Sequence, residues 1–180
     1  MKTIILSFII MATTISAYGQ NNKTLVVYYS RTGNTETVAK QIQTLTNADI
    51  FRLETVKAYP KGYQETTEVA KEEKSNNARP EIKEKVENIN QYDTLFIGFP
   101  IWWGTYPMAI ASFIEKHNLE NKTIIPFCTH GGGGVDQGFN DVKNLTPKSN
   151  HKEGLSLSGS QANSSKAAIE KWLREIGVIK

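Results

Sequence analysis

The chain of 180 residues carries one cysteine, Cys128. A lone thiol excludes an intrachain disulfide and any cysteine-based metal cluster. At the end of an apolar run it reads as a small buried hydrophobe. Histidine is almost as scarce, and His117, His130 and His151 are too scattered for any pair to have helical metal-ligand spacing. There is no basic block either. Lys and Arg total 21 against 18 Asp and Glu, and the net charge of +3 is spread along the chain, which gives no electrostatic case for nucleic acid. Internal repeats and low-complexity tails are absent. So is a Gly-Lys-Ser/Thr ending to any glycine-bearing loop, which excludes a nucleotide-triphosphate loop.

Long apolar runs are also rare, and the longest is set apart at the amino end. Lys2 precedes Ile4–Ile15, broken only by Ser7, Thr13 and Thr14, and Ala17 and Gly19 then stand at the −3 and −1 positions before Gln20. This pattern predicts a secretory signal peptide over residues 1–19, too short for a spanning helix. It implies an exported chain, periplasmic or secreted after cleavage and without stable membrane insertion. No cysteine follows the cleavage point, so a lipid anchor is not supported.

What remains is ordinary for one globular domain over residues 23–180, with 39% hydrophobic and 22% charged residues; a chain of this size buries roughly 70% of its unfolded surface. Apolar runs at 24–29 (TLVVYY), 49–53 (DIFRL), 94–99 (TLFIGF), 123–128 (TIIPFC) and 153–158 read as strands. Helical patterns lie between them at 35–45, 107–117 and 165–176. Pro126 within the fourth strand predicts a bulge or a missing ladder bond. Residues 57–91 are polar, with SNNARP as a breaker, and read as one or two solvated helices whose charges face solvent. The alternation predicts an α/β fold, a parallel sheet covered on both faces.

In such a sheet, ligands bind beyond the carboxyl ends of the strands, and three of these ends are unusual. The first is SRTGNT, Ser30–Thr35. It places hydroxyls, an amide and Gly33 where a helix begins, and the free N–H groups of a helix start favour an anion. The second is PIWWGTYP, residues 100–107, where two indoles stand before Gly104. Neighbouring side chains of an extended chain point to opposite sides, so one indole can pack inward while the other faces the crevice, suited to a planar ring; packing of both indoles into the core is equally compatible with the sequence. The third is THGGGG, residues 129–134, whose glycines make a sharply bending loop with bare N–H groups.

The three loops in this order resemble the flavodoxin family, particularly its members with Trp-Trp-Gly and Thr-His-Gly-Gly loops, over nearly all of residues 23–180. The resemblance implies a three-layer, doubly wound sandwich with five parallel strands in the order 2-1-3-4-5, holding one FMN non-covalently. Carried over by position, it implies that Ser30, Arg31, Thr32, Gly33, Asn34 and Thr35 hold the phosphate. Pro100, Ile101, Trp102, Trp103, Gly104 and Thr105 would line one side of the isoalloxazine, with Trp103 as the stacking aromatic and Gly104 as the glycine whose peptide reorients toward N5. Thr129, His130, Gly131, Gly132 and Gly133 would line the pyrimidine edge and N1. The chain departs from the family in carrying His130 where a tyrosine is usual, and in not being strongly acidic.

Three functions are compatible with this reading. The first is an electron carrier passing one or two electrons through FMN to redox partner proteins. The second is an FMN-dependent NAD(P)H:quinone-type oxidoreductase, although no Gly-x-Gly-x-x-Gly follows a strand. The third is a flavin-free binding module on the same fold. The residues favour the carrier.

Overall fold

The computed structural model describes residues 23–135 and 137–180; the leader expected over residues 1–19 lies outside them. The described residues form six strands: β1 (Lys23–Tyr28), β2 (Asp49–Arg52), β3 (Tyr92–Pro100), β4 (Thr123–His130), β5 (Asn150–His151) and β6 (Leu155–Ser158). They pair in parallel throughout. The order is β2-β1-β3-β4-β5, with β6 continuing beside β4 where β5 leaves off. The two last strands therefore share the fifth place, and the sheet has the expected 2-1-3-4-5 order.

Helices cover both faces: α1 (Asn34–Thr46) and α5 (Lys166–Glu175) on one, α3 (Ala109–Lys116) and α4 (Gly138–Leu145) on the other. The strands supply both layers because adjacent residues point to opposite faces. Leu25, Val27, Leu95, Ile97 and Phe99 pack toward Ile110, Phe113 and Val142. Val26, Tyr28, Phe96 and Phe127 pack toward Val38, Ile42, Ile169 and Leu173. Two-sided burial explains why β1 and β3 read as continuous apolar runs rather than alternating ones. Cys128 is fully buried within the first of these layers, and burial pushes its thiol up to about 11.

Pro126 stands at the interruption of the fifth strand. The Ile124 carbonyl accepts from Lys152 N–H at 3.1 Å, so the backbone of residue 126, two positions on, faces the same side. There proline has no N–H to give, and β5 and β6 separate: β5 pairs Thr123 and Ile124, and β6 resumes at Phe127. Gly154 crosses this gap so closely that a Cβ on it would lie 2.7 Å from the Pro126 carbonyl.

The polar crossover contains one helix, α2 (Tyr63–Ser75). Its end is a Schellman cap, with Ala78 N–H donating to the Glu73 carbonyl at 2.8 Å and Asn77 N–H to Lys74 at 3.1 Å. Asn77 takes φ 47°, a left-handed position that asparagine tolerates. Beyond Pro80 there is no second α-helix: Ile82 bridges antiparallel to Thr55, and a single 3-10 turn, Ile89–Gln91, leads into β3. Helix α4, after the glycine run, was not evident in the sequence; it begins at Gly138, and Val142 is its buried apolar contact.

Candidate functional site

Loops from the carboxyl ends of β1, β3, β4 and β6 surround a cavity of about 580 Å³, with α2 as its outer wall. That is within the roughly 300–1,000 Å³ range of sites enclosing a small molecule or cofactor. One end is the start of α1. Gly33 precedes the helix at φ 94° and no side chain caps it, so the first N–H groups have no intrahelical acceptor. The buried Ser30 is taken up in shaping this turn, its hydroxyl accepting from Gly33 N–H at 3.2 Å. Thr32, Asn34 and Thr35 line the cavity. Thr35 and Thr129, both buried, join hydroxyls at 2.8 Å and so fix the tip of β4 against the start of α1.

Arg31 lines the cavity, but its guanidinium is engaged with α2 and the turn before it. Nε donates to Thr66 Oγ1 at 3.1 Å and Nη2 to the Lys61 carbonyl at 2.5 Å. It braces the outer wall to the β1–α1 loop.

At the other end, Trp102 and Thr105 exchange backbone hydrogen bonds of 2.8 and 3.1 Å around Trp103 and Gly104. Both central residues have positive φ, 52° and 81°, as in a type I′ turn. The two indoles diverge, and it is this turn rather than an extended chain that separates them. Trp102 packs edge-on against Tyr29 and Tyr59, with ring centroids 5.5 and 5.1 Å away. Burial holds both phenols above their ordinary value, Tyr29 at about 12, so both stay neutral, Tyr59 donating to Glu73 at 2.5 Å. Trp103 sits on the cavity rim, 46% exposed, with its Nε1 donating to the Thr67 carbonyl at 2.9 Å. Thr105 is buried and donates to Asp141 at 2.5 Å, and the Gly104 carbonyl accepts from Gln137 N–H at 3.1 Å. These two residues hold the turn to α4 and do not line the cavity.

Pro100, Ile101, Thr129, His130 and Gly131 complete the floor. His130 Nδ1 accepts from Gly132 N–H at 3.1 Å, so the neutral imidazole carries its proton on Nε2 and keeps a donor there. Gly132 has φ 125°, a conformation open to glycine; Gly132 and Gly133 shape the loop without lining the cavity.

Two groups of lining residues were not anticipated. Tyr63, Thr66, Thr67 and Ala70 come from α2, which corrects the reading of residues 57–91 as charges facing solvent only. Ser158, Gly159 and Ser160 come from the end of β6. A Cβ on Gly159 would lie 2.6 Å from Asn34 Nδ2. The requirement for a glycine just beyond the last strand was the available signal. Among the described residues, no group of His, Cys, Asp or Glu is arranged to hold a metal ion.

No curated protein sequence matches the chain significantly. Among solved structures, a candidate flavoprotein of Bacteroides eggerthii is 34% identical with TM-score 0.75, the match covering 87% of this chain and 98% of that one. One from Bacteroides uniformis is 30% identical with TM-score 0.77, over 85% and 98%. A Lactobacillus acidophilus flavoprotein solved in complex with FMN shares the fold at 22% identity and TM-score 0.67, over 79% and 97%. The sequence profile of the flavodoxin family matches residues 23–176. With the sheet order, the three loops and this match over most of its length, the chain belongs to the flavodoxin family.

Proposed function

We propose that this chain binds one FMN non-covalently and serves as an exported electron carrier for redox partner proteins. The observation that carries the reading is the pairing, across one cavity, of an uncapped helix start ringed by hydroxyls with an indole exposed on the rim. A phosphate monoester suits the first, since free N–H groups, the helix dipole and the Thr32, Asn34 and Thr35 side chains all favour a compact dianion. A flat heteroaromatic suits the second. The separation of these chemistries between the two ends, with Thr129 and His130 along the floor between them, matches a molecule with a phosphate at one end and a ring at the other. The FMN held by the Lactobacillus relative lends further support.

Bound FMN supplies an isoalloxazine able to accept one or two electrons and the accompanying protons. The residues here hold and surround it. Trp102 and its two neutral tyrosines form a dry wall, Trp103 covers a ring face, and His130 Nε2–H offers a hydrogen bond. The cavity is open at the rim, where a partner approaches.

The test is the absorbance spectrum of the purified chain, followed by titration with FMN and rapid mixing with NADH or NADPH. Expected are a flavin band at one equivalent and no rapid direct bleaching by either nicotinamide. A colourless chain that ignores excess FMN overturns the reading, whereas rapid bleaching replaces the carrier with a reductase.

A further inference from the structure

Trp103 is a bulky residue at φ 52°. Such a conformation is an outlier and persists only where the surroundings impose it. Here they come largely from one helix. Lys74 Nζ donates to the Trp103 carbonyl at 2.6 Å. The Thr67 carbonyl takes the indole N–H at 2.9 Å. Lys71 Nζ lies over the indole ring, 5.4 Å from its centroid. Residues 67, 71 and 74 follow the spacing of one helical face, so the three contacts form a single stripe along α2. The glutamates at 65, 68, 72 and 73 fall on other positions of the turn. Backbone, indole nitrogen and ring face are thus each held by a separate group on that stripe.

We propose that Lys74, assisted by Lys71, is the positioning residue for Trp103, and that α2 serves as a clasp presenting one free indole face to a flavin ring. The proposal rests on the flavin reading above. Lys74 fixes the peptide between Trp103 and Gly104, and Lys71 covers one face of the ring, which leaves the other for the ligand. Because the platform is set before binding, the ligand does not bear the cost of ordering it. The clasp acts on the ring end of the site, so it affects flavins with and without a phosphate alike.

The experiment measures FMN and riboflavin affinity by fluorescence titration for the full chain and for Lys74→Met, Lys74→Arg and Trp103→Phe. Loss of one charge-assisted bond at a partly exposed site predicts roughly 3- to 10-fold weaker binding of both ligands in Lys74→Met. Their affinity ratio stays that of the parent. Lys74→Arg restores binding, because the guanidinium still donates to the carbonyl. Trp103→Phe, which keeps a ring but loses the N–H held by Thr67, weakens both ligands. Unchanged affinities in Lys74→Met overturn the proposal, as does a loss confined to FMN, which would assign Lys74 to the phosphate. A loss that arginine fails to restore also overturns it. If the parent chain itself binds neither flavin, the flavin reading fails instead.

Discussion

Thr32 and Thr35 stand three positions apart, one in the loop and one in the first turn of α1, and do different work. Thr32 is exposed on the cavity, whereas Thr35 is buried with its hydroxyl on Thr129. Thr32→Ala is expected to weaken FMN while leaving riboflavin and the urea midpoint unchanged. Thr35→Ala leaves the Thr129 hydroxyl unpartnered and should also lower stability by about 1–3 kcal/mol. Flavin titration and urea unfolding of the two variants check this; equal losses of FMN and riboflavin in Thr32→Ala would contradict the phosphate assignment. The difference between the residues was not legible in SRTGNT, because it depends on a β4 side chain 94 positions away. A division between the tryptophans was more accessible, although the sequence argument assumed an extended chain and the structure achieves it with a turn that Gly104 marks. Arg31 shows the opposite case. The family resemblance implied a phosphate contact; the guanidinium also donates to the Lys61 carbonyl and the Thr66 hydroxyl, and no sequence pattern announces a carbonyl.

Among the elements, β3 and β4 pair in unbroken register from Thr94↔Thr123 to Pro100↔Thr129. Gly98 pairs with Phe127, and a Cβ on Gly98 would lie 2.1 Å from the end of that fully buried ring. Gly98→Ala is therefore expected to destabilise by about 1–3 kcal/mol through overpacking. Phe127→Leu in the same chain should recover part of that loss, a coupling that a double-mutant urea series measures. These strands were readable because both faces are buried and the apolar run is continuous. Pro126 announced its irregularity too, although the break falls in the neighbouring strand. Helix α4 was missed because it starts on a glycine behind four others, where local propensity argues for a loop. Helix α2 was seen as a helix but not as a wall. Its sequence is dominated by charge, and its contact with Trp103 uses a backbone carbonyl and two lysines, groups that a hydrophobic pattern does not register.

For the molecule as a whole, acid is expected to weaken the fold through His151. Its Nε2 lies 2.8 Å from Thr146 Oγ1. Its imidazole is held below the ordinary 6.5, first by burial and then by the positive charge of Lys143. The unfolded chain thus takes up the proton first as pH falls. The stability contributed by the neutral ring is complete above 6.5 and is lost as pH drops from there through the folded value. Urea midpoints at about pH 7.5 and about pH 5.5 should fall further apart in the parent than in His151→Asn; an equal drop in both would exclude this residue as a source.

The cavity takes lining residues from Arg31 to Ser160 along the sequence, with β1 inside the sheet and β6 at its margin. Its walls are thus drawn from almost opposite ends of the polypeptide, contacts that form slowly because so much chain must be closed between them. A chain still leaving the ribosome has no complete pocket until β6 arrives. On the FMN reading proposed above, loading would follow the folding of that strand and draw on the flavin present where it happens.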